Sequence, residues 1–262
     1  MMRYVRLYLY FLRFAFSTAL EFRVDFTFRI FMDLLYYAVQ IGFYGIIYNA
    51  TDLLAGWDRQ ETMLFVGGYL LADALHMTIF ANNLWWLPYF INRGDLDYYL
   101  TRPVSSLFFL SLRDFAANSF VNMLGAVAIF IVMIVRYPEP LSAGNIALYT
   151  VLIFNGALIL YMIQMLALIP IFWIQSPRGF QQMVWNVQRF MERPDRIFTG
   201  WVRRILVSVL PFCLVASFPA RIVIEGFSVQ VLVHILAVTM LLFLLIRWLW
   251  HRGLAAYSSA SS

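Results

Sequence analysis

The sequence predicts an all-α, polytopic membrane protein with six transmembrane helices and an N-terminal interfacial helix. Three observations predict it. The 262 residues are 63% hydrophobic and only 13% charged, with a mean hydropathy of +0.76. A soluble domain carries about 25% charged residues, so there is too little polar surface here to wet a globule, and a water-soluble enzyme is excluded. The apolar residues come in long unbroken runs that can cross a ~30 Å hydrocarbon core, not in the alternating pattern of barrel strands. All 19 basic residues are Arg, and most flank apolar runs. The net charge of +5 therefore reads as membrane orientation and attraction to anionic headgroups, with no nucleic-acid partner.

The elements follow in order. Residues 1–24 are apolar but interrupted by Arg3, Arg6, Arg13 and Arg23. At ~100° per residue the first three project to one side, so this helix lies in the interface with its aromatic face in the acyl boundary. It lacks a short apolar core followed by an A-x-A site and reads as retained. Residues 25–262 form one transmembrane domain with spans at about 26–48, 62–81, 115–135, 146–174, 198–218 and 229–249. Pro170 is expected to kink the fourth span. The fifth is short, contains Pro211, and crosses only if it recruits the residues around Arg203 and Arg204. Six spans put both termini on one side. That side then holds every Arg except Arg59, Arg136 and Arg221, which makes it cytoplasmic.

Candidate chemistry is sparse. Cys213 stands alone, and His76, His234 and His251 are scattered, so neither an intrachain disulfide nor a zinc site is expected. There is no H-E-x-x-H, no G-x-S-x-G, and no phosphate-binding loop, which would need a Lys the chain lacks. Two pairs of ionisable residues fall inside spans, Arg29 with Asp33 and Asp73 with His76. At spacings of four and three, each pair shares a helix face where its members can neutralise each other. Intramembrane charges of this kind line a substrate path or a polar seam. For Arg29 and Asp33, anchoring at the cytoplasmic boundary is the competing reading.

The stretch 92–105 is the most informative. Gly94 breaks the preceding helix, Asp95 is placed to cap a new one, Asp97 complements its dipole, and Pro103 ends it. Leu96 and Leu100 share one face of this two-turn helix, exposing Asp97, Tyr98 and Arg102. Gly94, Leu96, Asp97, Leu100 and Pro103 together complete a G-x-L-D-x-x-L-x-x-P pattern. In this the chain resembles the ABC-2-type permeases, the membrane subunits of ATP-binding-cassette exporters. Further resemblance lies in Arg193-Pro194-Asp195-Arg196-Ile197-Phe198, in Leu210-Pro211, in Ser217-Phe218-Pro219-Ala220, and in the tail from Arg252 to Ser258.

The resemblance implies an interfacial elbow helix, and a cytoplasmic coupling helix that docks into a separate ATPase subunit through Gly94, Asp95, Leu96, Asp97, Tyr98, Leu100, Arg102 and Pro103. It also implies a short re-entrant segment after the fifth span, matching residues 219–228. The implied location is a bacterial inner membrane, with both termini cytoplasmic. The chain itself would be no enzyme and hold no cofactor, ATP and Mg²⁺ residing on the partner. A second copy or a homologous permease would complete the path for an amphipathic or lipid-linked cargo. The resemblance places that path near Asp33, Tyr36, Tyr37, Asp73, His76 and Phe212. The alternative is a secondary transporter driven by an ion gradient, which calls for inverted repeats; the one faint internal similarity, around Thr101-Arg102-Pro103 and Glu192-Arg193-Pro194, runs parallel.

Overall fold

In the computed structural model, which describes residues 2–19, 23–174, 176 and 178–257, the described residues form helices and turns with no strand. The interfacial helix α1 (Met2–Ala19) is amphipathic, with Arg3, Arg6 and Arg13 exposed. It is held against the bundle by edge-on ring contacts of Tyr4 with Phe108 and Phe11 with Phe109. Helix α2 (Arg23–Ile47) follows the first predicted span closely.

The next helix starts at a complete capping box: Asp58 accepts from the Glu61 backbone N–H at 2.8 Å, and the Glu61 carboxylate accepts from the Asp58 N–H at 2.7 Å. It runs as α3 (Arg59–His76), a π turn at Met77–Ala81, and α4 (Asn82–Arg93). The polar pair Asn82-Asn83, expected to end the second span, does not break it. The Asn83 side chain donates to the carbonyls of Ile79 and Asp114, both at 3.1 Å, and accepts from the Asp114 N–H at 2.8 Å. With those groups satisfied, the helix continues to Gly94.

Short helices α5 (Leu96–Leu100) and α6 (Ser106–Leu112) lead into α7 (Ala117–Val135). Helix α8 (Ala143–Leu168) is capped by Ser142 and passes into a 3-10 turn, Ile169–Phe172. Pro170 thus ends the helix where a kink was expected, because its ring removes a donor the next α turn requires. Helix α9 (Arg178–Gln188) continues into a 3-10 turn, Arg189–Glu192. Two short helices, α10 (Gly200–Ser208) and α11 (Ser217–Ile224), precede α12 (Val229–Ala256), which Ser228 caps.

Among the described residues, five helical stretches are long and apolar enough to cross a membrane: Ile30–Ile47 of α2, then Arg59–Arg93, Ala117–Val135, Ala143–Phe172 and Val229–Ala256. The segment α3–α4 is the centre, with 72% of its most apolar stretch buried, against 17% for α2 and 22% for α7 and for α12. The peripheral helices therefore turn most of their apolar surface outward, as lipid-facing helices do.

No continuous helix occupies 198–218. Helix α10 ends at Ser208, and the chain turns through a 3-10 turn at Phe212–Leu214 into α11. Residues 195–225 close on themselves, since Asp195 meets Ser217 and Arg221, and Arg196 meets Glu225. This hairpin dips toward mid-bundle, where the carbonyl of Val215 lies so close to Gly156 of α8 that a Cβ there would sit 2.1 Å from it. Its ends lie with the α2–α3 loop, because Arg196 reaches Gly56. Arg196 and Arg203 consequently sit with Arg221, at the end of the bundle opposite to the one the Arg distribution suggested.

Candidate functional site: a terminal helical element and a polar seam

Gly94 adopts φ +81°, the left-handed conformation that closes α4 and that only glycine reaches without strain. Asp95 then occupies the N-cap position of α5 but makes no side-chain cap bond, contrary to expectation. Helix α5 is a single turn, and its buried pair is Leu96 with Tyr99, three apart, while Leu100 is exposed. The surface offered outward is Asp95, Tyr98, Leu100, Thr101 and Pro103, with Asp97 and Arg102 half-buried.

This element is fixed to the bundle by arginines on rings. Arg113 donates to the Tyr99 hydroxyl and lies over the rings of Tyr99 and Phe90, while Arg102 lies over Tyr98 at 4.4 Å and Phe109 at 5.1 Å. Both described ends of the chain are adjacent. The Tyr4 hydroxyl accepts from the Ser105 N–H at 3.4 Å. Burial, and the charges of Asp97 and Asp95 close by, push the Tyr257 phenol up from its ordinary value. Residues 94–103 and both described termini therefore share one end of the bundle.

Inside the bundle, a polar seam joins α2 to α3, α7 and the turn after α9. The hydroxyls of Tyr36 and Tyr69 share a hydrogen bond. Gln40 donates to Tyr36 and to the Glu192 carboxylate, each at 3.2 Å, and the Tyr44 hydroxyl donates to the Glu192 carbonyl. Asn122 of α7 donates to Asp33, and the Tyr37 hydroxyl donates to the Asn122 carbonyl at 3.4 Å. The charges of Glu192 and Asp33 act on the Asp73 carboxyl within this seam.

Four sequence-predicted path residues, Asp33, Tyr36, Tyr37 and Asp73, thus come together. His76 and Phe212 do not join them. No hydrogen bond or ion pair links His76 to Asp73; the imidazole is buried beside Phe80, with neither ring nitrogen bonded. Asp73 instead lies within electrostatic reach of Tyr36 and Tyr37 on α2. Phe212 is fully enclosed in the hairpin. The Arg29 side chain, proposed as the partner of Asp33, lies outside the described residues.

A third cluster unites two of the quoted motifs. Asp195, with no exposed surface, accepts from Arg203 Nη2 at 2.6 Å, Arg221 Nη1 at 3.3 Å and the Ser217 hydroxyl at 2.8 Å. Its own N–H donates to Ser217 Oγ at 2.9 Å.

Residues 34–261 match the family model described as an ABC-2 family transporter protein. The chain belongs to the ABC-2 transporter family. No curated protein and no solved structure matches it. As an ABC-2 transporter it is a multi-pass permease, the membrane component of an ABC transporter, and the family implies an ATPase partner.

Within this permease, sequence reasoning missed Gln40, Tyr69, Asn122 and Glu192 as seam residues. Three carried a signal. Gln40 stands four after Tyr36, Tyr69 stands four before Asp73, and Asn122 stands four after Asn118 in an otherwise largely apolar span. Glu192 carried none, because nothing local says that the turn after α9 meets Gln40 and Tyr44 of α2.

Proposed function

We propose that this permease is the membrane half of an ABC exporter, driven by a separate cytoplasmic ATPase that docks on residues 94–103. The observation that carries the reading is the geometry of that element. It projects from the end holding the termini, offers Tyr98 and Leu100 to a partner, and is braced by Arg102 and Arg113 so that a push on it moves α4 and α6. The permease contributes transmission and a selective surface, and the free energy comes from ATP on the partner.

The sixth crossing is made by α9 and its 3-10 turn in place of 198–218. Five long helices alone would leave the two described ends on opposite sides, whereas Tyr4 and Tyr257 both lie by residues 94–105. The segment 178–192 is about 24 Å long. It leaves the 3-10 turn of α8, passes Gln164 through the Gln188 side chain at 2.8 Å, and reaches Gln40 and Tyr44. It exposes Gln182, Asn186 and Arg189, and Arg193 directly after it is exposed too. Hydrocarbon would leave those groups unsatisfied, so they face a hydrated path between two permeases, with Asp33, Tyr36, Tyr37 and Asp73 behind them. The cargo is amphipathic, matching a path with polar groups on one side and the rings of α2 and α9 on the other.

The test is co-purification with the cognate ATPase and stimulation of its turnover. Tyr98→Ala combined with Leu100→Ala is expected to reduce both by more than tenfold, with the permease still folded. Wild-type complex and turnover in that double variant would remove the docking assignment.

A further inference from the structure

A cavity of about 630 Å³ opens beside the docking element, between α6, α8 and α12, and neither the seam nor the docking surface uses it. Its walls are apolar, including Phe80, Leu158, Met162 and Phe243. Its base is held rigid by Phe80 stacked on Tyr161 at 4.6 Å and by the 2.5 Å hydrogen bond between Tyr161 and Ser111. Its mouth is polar, and among the described residues its one fixed charge is the positive charge of Arg247. Arg247 and His251, one turn apart and both exposed, line it with Ser105 and Ser106, and no carboxylate lines it among the described residues.

The size is that of a small-molecule or lipid site. The shape is a slot: Phe243 and His251 are eight residues apart on α12, about 12 Å along the helix, so the basic mouth lies at one end and the greasy wall at the other. Charge at the rim with apolar depth matches a phospholipid standing in the leaflet.

We propose that this slot holds one anionic phospholipid of the leaflet on the terminus side, its phosphate between Arg247 and His251 and one acyl chain along Phe243, Leu158 and Met162. The bound lipid braces α12 against α6, continuing the contact in which Trp250 Nε1 donates to Ser106 Oγ at 3.1 Å. Because α6 follows the docking element directly, occupancy stiffens the transmission route. The assignment to the cytoplasmic leaflet rests on the orientation proposed above; the site itself does not.

The test is native mass spectrometry of the full-length permease in detergent, given equal amounts of dioleoyl phosphatidylglycerol and dioleoyl phosphatidylcholine. The wild type is expected to retain one phosphatidylglycerol in preference. Arg247→Gln should lower that preference about fivefold, as one basic side chain near a phosphate is worth, and adding His251→Gln should bring it near parity. Arg252→Gln, whose guanidinium lies over Trp248 outside the slot, should leave it unchanged. Glycerol 3-phosphate, the headgroup without chains, should not displace the lipid.

Equal retention of both lipids by the wild type would overturn the proposal. So would an undiminished preference in the Arg247/His251 double variant, the same loss in Arg252→Gln, or displacement by glycerol 3-phosphate. None of these measurements involves the ATPase, so their failure leaves the docking reading standing, and failure of docking leaves the lipid site standing.

Discussion

Removing the Asp195 carboxylate tests how the 195–225 hairpin is held. The side chain is fully buried and accepts from two guanidiniums and one hydroxyl. Deleting one member of a buried ion pair costs about 3–5 kcal/mol, because the partner is left charged and unpaired. Here the penalty falls at the lower end. The Arg203 side chain is 39% exposed and can rehydrate, and Arg221, 18% exposed, keeps Glu225 at 3.2 Å. Asp195→Ala should therefore cost about 3 kcal/mol, which for a chain of this size lowers the melting temperature by roughly 6–12 °C. Intrinsic-fluorescence melting in one fixed detergent reads this directly. Asp195→Asn, which keeps an acceptor, should recover part of the loss. Ser217→Ala should be markedly milder in the Asp195→Ala background than alone, because the two act as a unit. A melting temperature for Asp195→Ala within about 1 °C of wild type, or full additivity with Ser217→Ala, would refute the hub.

Other consequences follow from the same geometry. Gly156→Ala places a methyl group 2.1 Å from the Val215 carbonyl, so the hairpin must shift; overpacking of this kind costs about 1–3 kcal/mol, measurable as a lower melting temperature, and wild-type stability would place the hairpin elsewhere. Asp73→Asn keeps the shape of the seam and removes the carboxylate on which the charges of Glu192 and Asp33 bear; cargo-stimulated transport should fall at least tenfold while basal ATPase activity persists, and unchanged transport would remove Asp73 from the path. Arg113→Gln deletes the brace on Tyr99 and Phe90, and is expected to leave ATPase binding intact but weaken the dependence of hydrolysis on cargo. The purified permease alone should neither bind nor hydrolyse ATP, which nucleotide-binding and phosphate-release assays check.

Much of this protein follows from local sequence. The membrane class comes from composition, and the spans at 26–48, 115–135, 146–174 and 229–249 come from unbroken apolar runs, since hydrocarbon requires them wherever they pack. The bend at Gly94 and the cap at Ser142 are likewise backbone chemistry that acts within a few residues. The short helical element at 94–103 was legible by the same means, except for its buried face, where packing on α6 selected Tyr99 in place of Leu100.

Three decisions belonged to the tertiary structure. Asn82 and Asn83 look like a helix stop, yet the loop at Asp114 satisfies the Asn83 amide and the helix runs on to Arg93. Residues 178–192 are a polar stretch between apolar runs, yet Gln164, Gln40 and Tyr44 hydrogen-bond to Gln188 and Glu192 within it. Asp195 and Ser217 read as members of separate motifs, yet they meet at 2.8 Å and turn 195–225 into a hairpin. The physical reason is common to all three. An apolar run states its environment by itself, because lipid and core both accept it, whereas a polar residue in a membrane protein is placed by whichever partner satisfies it, and that partner lies far along the chain.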